Sequence, residues 1–392
     1  MIVKELKIMW KYYLASFLIG FSTLTGGYMF LYFNQNLNLS FSVINLALVV
    51  FILTDIIFEL PTGAIGDVLG RKWQAILGML IMTVGAFGLY YTVFSWHLMI
   101  SYAIIGIGWA FLYGAREAWM VDNLKKLKLK NLVHIFFAHA KTAFLIGAIF
   151  GPFVASYLVL RFSMRSLFFA DALVGALAIF PMILEHEYFT PQKKSSWLKI
   201  IKKTYRHFLE HKHCRLLLLV FFFTAIPIGV VAGYQPFLSK LGAPLIIFGI
   251  QSGIAGLFGA LALLFSKWLN GFAKSTLIAV SLLQVAFAIP LLFLIEGQWV
   301  LGATLILLPA ILTIAEPFVF VYQNVLVPSS IRSSALSVFG LATSAGNGVG
   351  YLIGGPALDA LGPPKAIVLF SLSFIVVAII YASLPSLSKR WS

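Results

Sequence analysis

The sequence predicts an all-α integral membrane protein of about twelve transmembrane helices, arranged as two pseudo-symmetric six-helix halves. Three observations predict it: composition, the length of the apolar runs, and short motifs that recur at a nearly constant offset. The chain is 61% hydrophobic and only 10% charged over 392 residues, with a mean hydropathy of +0.97. Soluble domains carry about a quarter charged residues. The apolar runs are about 20 to 25 residues long, the length of a helix crossing a hydrocarbon layer of roughly 30 Å and well beyond barrel strands of about 10 residues.

In chain order the predicted spans lie near 12–33, 41–66, 73–94, 97–122, 133–159, 166–184, 214–239, 244–267, 273–295, 299–326, 333–359 and 364–385. Lys4, Lys7 and Lys11 before the first span resemble the basic region of a signal peptide. The apolar segment behind them has no small-residue cleavage site and is read as retained. With the N-terminus in the cytoplasm, the inner loops carry about 22 Lys and Arg and the outer loops about 4, namely Arg161, Arg165, Lys240 and Lys365. That asymmetry obeys the positive-inside rule and puts both termini in the cytoplasm, in a bacterial or archaeal cytoplasmic membrane. It also accounts for the formal charge of +15. In a soluble protein such a charge suggests nucleic acid; here it reflects topology and attraction to anionic lipids, and no nucleic-acid partner is expected. The chain is expected to be a monomer.

The longest polar interval, residues 185–213, follows the sixth span and divides residues 1–184 from residues 214–392. Trp197, Leu198, Ile200, Ile201, Tyr205 and Phe208 alternate there with lysines at roughly helical spacing, which predicts an amphipathic helix on the inner membrane face. The lone Cys214 has no cysteine to pair with, and His207, His211 and His213 lack carboxylate or cysteine company. No nucleophile motif and no phosphate-binding glycine loop is present, so no enzyme activity, metal or cofactor is expected.

The fifth span contains Gly147-Ala-Ile-Phe-Gly151-Pro152 and the eleventh Gly350-Tyr-Leu-Ile-Gly-Gly-Pro356, about 203 residues apart. Glu117 in the fourth span and Glu316 in the tenth are about 199 apart. Two coincidences at nearly one offset, in correspondingly numbered spans, point to duplicated halves.

One loop carries a more specific signal. Gly63-Ala-Ile-Gly66-Asp67-Val-Leu-Gly70-Arg71-Lys72, between the second and third spans, resembles the signature loop of the major facilitator superfamily. Glu59-Leu-Pro-Thr-Gly63 and Pro328-Ser-Ser-Ile-Arg332-Ser-Ser-Ala-Leu are similar to that family too. The resemblance covers essentially the whole chain and implies a solute carrier working by alternating access, closest in motif pattern to proton-coupled drug antiporters. It implies that the Asp67 cluster latches the two halves in the outward-facing state, with the eleventh helix as neighbour. It also implies an antiporter element in Gly147, Gly151 and Pro152, although the glycine pair that follows in the family is Ala155-Ser156 here. The residues suit such roles independently. Gly63 and Gly66 let another helix pass closely, Gly70 permits a tight reversal, Asp67 can accept from the N-terminus of a neighbouring helix, and Arg71 can bridge it to Asp122.

Asp55 and Glu59 stand one helical turn apart at membrane depth, where a charge costs about 2.5 to 3.5 kcal/mol. They are expected to face the bundle interior and to exchange a proton, or to form a satisfied structural pair. Arg116 and Glu117 are adjacent and project about 100° apart. Glu117 and Glu316 hold matching places in the halves and are candidates for a cationic substrate or a proton, with Arg116 or Lys141 as neutralising partners. Asp171 is expected to pair with Arg165. The function read from the sequence is therefore proton-coupled efflux of a small amphipathic or lipophilic solute. A lipid or glycolipid flippase, an uptake symporter and a non-transporting sensor on the same scaffold are the alternatives.

Overall fold

The computed structural model describes residues 2–129, 132–188, 197–231, 233–265, 273–328 and 331–385. Every regular element among them is helical, and nine helices are long and apolar enough to cross a membrane, with Ile246–Ala262 as a shorter apolar helix. The protein is a multi-pass helical membrane protein.

The helices follow the predicted spans, but some spans are broken, and the breaks have local causes. The first runs as Ile2–Phe21, turns, and resumes at Met29. There the hydroxyls of Ser22 and Thr23 donate to Ile19 O and Gly20 O, drawing carbonyls from the helical ladder. The fourth splits into Ser95–Leu112 and Ala115–Lys126 around Gly114, at φ +78°. The seventh splits into Lys212–Ala225, Ile228–Val231 and Tyr234–Lys240. Pro227, which has no N–H to donate, lies between the first two pieces. The tenth passes from Trp299–Leu307 through a 3-10 stretch, Leu308–Ala315, to Glu316–Leu326, with prolines at 309 and 317. The twelfth has only a one-residue break, at Leu372. Non-helical breaks thus fall in the first, fourth and seventh spans, and 3-10 stretches in the tenth and, at Ile289–Phe293, in the ninth; discontinuous helices of this kind are common in transporters.

The chain divides into two compact units. One comprises Met1–Leu39, Leu46–Lys193 and Pro244–Gly256; the other comprises Ser40–Asn45, Lys194–Ala243 and Leu257–Ser392. In the first, Met9, Tyr12, Trp119, Met120 and Phe136 form the buried core. In the second, Leu217, Phe318, Tyr322, Phe339 and Val377 do so. The linker helix, Trp197–Glu210, buries Phe208 against Phe339, ring centroids 5.3 Å apart, and leaves Tyr205 and Leu209 exposed.

Both units use one packing device in one register. A side chain on Gly147 or Gly151 of Val133–Arg161 would strike the backbone of Phe17 and Phe21. A side chain on Gly346 or Gly350 of Arg332–Leu361 would strike Phe222 O and Ile226 O. These contacts pair Gly147 with Gly346 and Gly151 with Gly350, each 199 residues on, the same interval as from Glu117 to Glu316. Aligning Gly147 with Gly350, as the motif match suggests, is off by one turn, because the packing glycines rather than the prolines set the register. Without a solvent-driven hydrophobic force between lipid-embedded helices, close backbone approach supplies the van der Waals contact that holds them.

A carboxylate clamp also occurs once in each unit. Asp171 of Met164–Leu184 accepts from Leu24 N at 2.9 Å, Thr25 N at 3.1 Å and Thr25 Oγ1 at 2.6 Å. Asp359 accepts from Phe41 N and Ser42 N, both at 2.9 Å, and from Ser42 Oγ at 2.6 Å. The expected Asp171–Arg165 pair does not form. Arg165 Nε donates to Tyr90 O at 2.7 Å and its guanidinium lies over the Tyr90 ring, while Asp171 satisfies the backbone donors freed by the break in the first span.

Candidate functional site

The signature loop closes at Gly70, where φ is +93° and the Glu187 carboxylate occupies the space a side chain would need. Arg71 Nη1 then meets Asp122 Oδ2 at 2.8 Å, the pairing the sequence suggested, and Lys125 Nζ lies 3.5 Å from Asp122 Oδ1. Gly66 leaves room for the Gln74 amide from the next helix. The surroundings of Gly63 and Asp67 lie outside the described residues. Lys72 faces elsewhere: its Nζ donates to Ile183 O at 2.8 Å and Glu185 O at 2.7 Å.

Sequence reasoning missed what Lys72 holds. The segment behind the sixth span is fastened across the signature loop. Glu187 Oε1 accepts from Lys72 N at 2.9 Å, at the positive end of the third span. Trp119 Nε1 and Asn123 Nδ2 both donate to His186 O. Burial pushes the Glu185 carboxyl above the ordinary carboxylate range. Polar residues directly after the sixth span were the available signal, but read as linker they named no partner.

The Arg71–Asp122 pair is about one-quarter exposed on both sides, so Arg71→Gln is expected to lower stability by no more than about 1 kcal/mol. If the pair holds one conformer it will nevertheless alter turnover several-fold. Thermal melting beside initial transport rates separates the two, and an unchanged rate removes the latch role.

Asp55 and Glu59 lie one turn apart on Phe41–Leu69, Asp55 half-buried and Glu59 exposed. Glu59 lines a cavity of about 360 Å³ with Thr62, Arg71, Gln74 and Tyr113. Asp55 has no ion-pair partner among the described residues.

The remaining candidates fall into two cavities, one per unit. In the first unit, about 270 Å³ is lined by Tyr12, Trp109, Tyr113, Arg116, Glu117 and Lys141, among others. Arg116 and Glu117 pair with each other, Nη2 to Oε1 at 2.9 Å and Nε to Oε1 at 3.3 Å, the long side chains bending across the 100° between them. Arg116 also lies over the Tyr12 ring, 5.6 Å from its centroid. In the second unit, about 690 Å³ is lined by Thr224, Gln284, Glu316, Phe320, Gln323 and Tyr381, among others. Glu117 sits in the first turn of a helix that restarts after the break at Gly114, where the exposed N–H groups favour a carboxylate, and Glu316 sits where the 3-10 stretch Leu308–Ala315 passes into the α-helix Glu316–Leu326. Both cavities put a few polar groups on mainly apolar walls, the lining that orients a small organic ligand.

A family model described as Major Facilitator Superfamily matches residues 12–351. A protein described as an uncharacterized transporter from Buchnera aphidicola subsp. Schizaphis graminum is 27% identical over 164 residues, 41% of this chain. That match takes in 39% of the relative's own length. Among solved structures, the nucleoside transporter NupG superposes with a TM-score of 0.78 at 15% identity, covering 96% of this chain and 98% of that one. A D-xylose-proton symporter gives 0.74 at 14% identity, covering 97% and 98%. These likenesses establish the fold.

Proposed function

Because the chain belongs to the major facilitator superfamily, we propose that it is a secondary active transporter that works by alternating access and couples proton movement to export of a small amphipathic solute. The observation that carries this reading is the pair of cavities, each apolar for the most part and each lined by a carboxylate, Glu117 in one and Glu316 in the other. Asp55, half-buried and without an ion-pair partner among the described residues, is the group assigned to the proton. A buried carboxyl without a counter-charge changes protonation readily when water reaches it. Export is favoured by the resemblance of Gly147, Gly151 and Pro152 to an antiporter element, of which Gly147 and Gly151 pack the fifth helix on the first. Uptake by symport is the second reading, favoured by the fold shared with a D-xylose-proton symporter.

Proteoliposomes with an imposed pH gradient and a panel of labelled solutes test both. Asp55→Asn is expected to abolish gradient-driven accumulation while sparing exchange at symmetric pH, since exchange needs the binding cavity but not the proton. Glu316→Gln is expected to impair both together. Uphill transport surviving in Asp55→Asn moves the proton to Glu59 or Glu117. The direction of accumulation relative to the gradient decides between export and uptake.

A further inference from the structure

We propose that the first-unit cavity takes the anionic end of an amphipathic solute, with Lys141 as its counter-charge. The inference rests on the reading of the cavity as part of a solute path and narrows the class of solute. Its basis is a count of charges in one small space. Three charged side chains line the cavity: Arg116, Glu117 and Lys141. Two cancel, because both guanidinium contacts of Arg116 fall on a single oxygen of Glu117. The other contact of Arg116 is the face of Tyr12, which leaves that side of the guanidinium covered. Lys141 has no carboxylate within ion-pair distance among the described residues; its Nζ lies 5.5 Å from the centre of the Phe144 ring. A net single positive charge therefore faces the cavity.

Lys141 is the ninth residue of the 29-residue helix Val133–Arg161, inside the predicted fifth span. Lys141 is an exposed side chain lining this cavity, and among the described residues no carboxylate pairs with its ammonium, which leaves the charge open to a solute. The rest of the lining states what the partner looks like. Tyr12, Trp109, Tyr113, Phe137 and Phe144 form aromatic walls, with Trp109 and Tyr113 stacked at 6.0 Å. Such walls suit a flat apolar body, and a cation reads them through the ring faces as well. An anionic solute here differs from the expectation of a cationic substrate or a proton at Glu117, because Glu117 is paired with Arg116 and an added cation would meet Lys141. The class that fits is a monoanionic carboxylate on an aromatic or aliphatic body small enough for about 270 Å³.

Three naphthalene derivatives that share one ring body and carry an anionic, neutral or cationic head test this on the purified full chain by calorimetric titration: 2-naphthoate, 2-naphthylmethanol and 2-naphthylmethylamine. Naphthoate is expected to bind at least about tenfold more tightly than the amine and more tightly than the alcohol. Lys141→Gln is expected to weaken naphthoate about tenfold and leave the alcohol unchanged, and Lys141→Arg to retain the preference. The wild-type ranking needs no variant, so a poorly folding substitution does not shelter the idea. An amine preference, no binding of naphthoate, or a naphthoate-to-alcohol ratio unmoved by Lys141→Gln overturns it. Naphthoate bound through Lys141 but not carried in proteoliposomes would count against the transport reading and support this one. Carriage of the amine in preference to naphthoate would do the reverse.

Discussion

Gly151→Leu is expected to prevent the first unit from folding, and Gly350→Leu to do the same in the second. Each glycine faces backbone rather than a movable side chain: Phe21 O in one case, Ile226 O in the other. A leucine there can be accommodated only by prising two helices apart along their length. Ordinary overpacking costs about 1 to 3 kcal/mol because neighbours shift. Backbone held in a helical ladder cannot shift alone, so the cost is expected at or above the top of that range. Gly340 and Gly348 provide the control, since they lie on the same helix as Gly350 and a Cβ on either meets nothing within 4 Å. Size-exclusion profiles and melting of Gly151→Leu, Gly350→Leu and Gly348→Ala in mild detergent decide the matter. Equal behaviour of Gly350→Leu and Gly348→Ala would show that the shared glycine register is incidental.

Asp171→Ala is expected to be the most damaging charge removal in the first unit. Its two oxygens hold three donors, Leu24 N, Thr25 N and Thr25 Oγ1, at the point where the first span leaves the helix and can no longer satisfy them itself. Hydrogen bonds to a charged acceptor contribute about 1.5 to 3 kcal/mol each. Unsatisfied backbone groups cost several more at membrane depth. A loss of about 3 to 5 kcal/mol follows, with Asp171→Asn intermediate because one carbonyl oxygen remains. Asp359→Ala removes the same constellation at an exposed position, around Ser42, where water can replace the carboxylate. Its effect is expected to be markedly smaller. Melting curves of the four proteins, wild type included, test the order, and equal losses at 171 and 359 would refute the desolvation account.

The Arg71–Asp122 pair was legible before any coordinates because a short loop and the end of a neighbouring span confine both groups to one end of the bundle. Gly70 was legible for a related reason, since a reversal between Phe41–Leu69 and Arg71–Tyr90 leaves room for a single residue. The partner of Asp171 was not. Arg165 is six positions away, whereas the true donor Leu24 N is 147 positions away, and sequence distance favours the wrong choice. Asp359 went unnoticed for the same reason: nothing near it in the chain advertises Phe41 and Ser42, more than 300 residues earlier.

By itself, then, the sequence determined that this is a helical membrane protein, which segments are spans, and that the Gly147 and Glu117 regions recur in the second half. Hydropathy and repeat spacing are one-dimensional properties, and a segment's preference for hydrocarbon does not depend on its neighbours. Only the tertiary structure decided where spans break into separate helices, which glycines meet which carbonyls, that Arg116 pairs with Glu117, and that Lys141 has no carboxylate beside it among the described residues. Those outcomes depend on which helix faces approach one another. A rotation of one residue, about 100°, exchanges one partner for another without altering the hydropathy of the span.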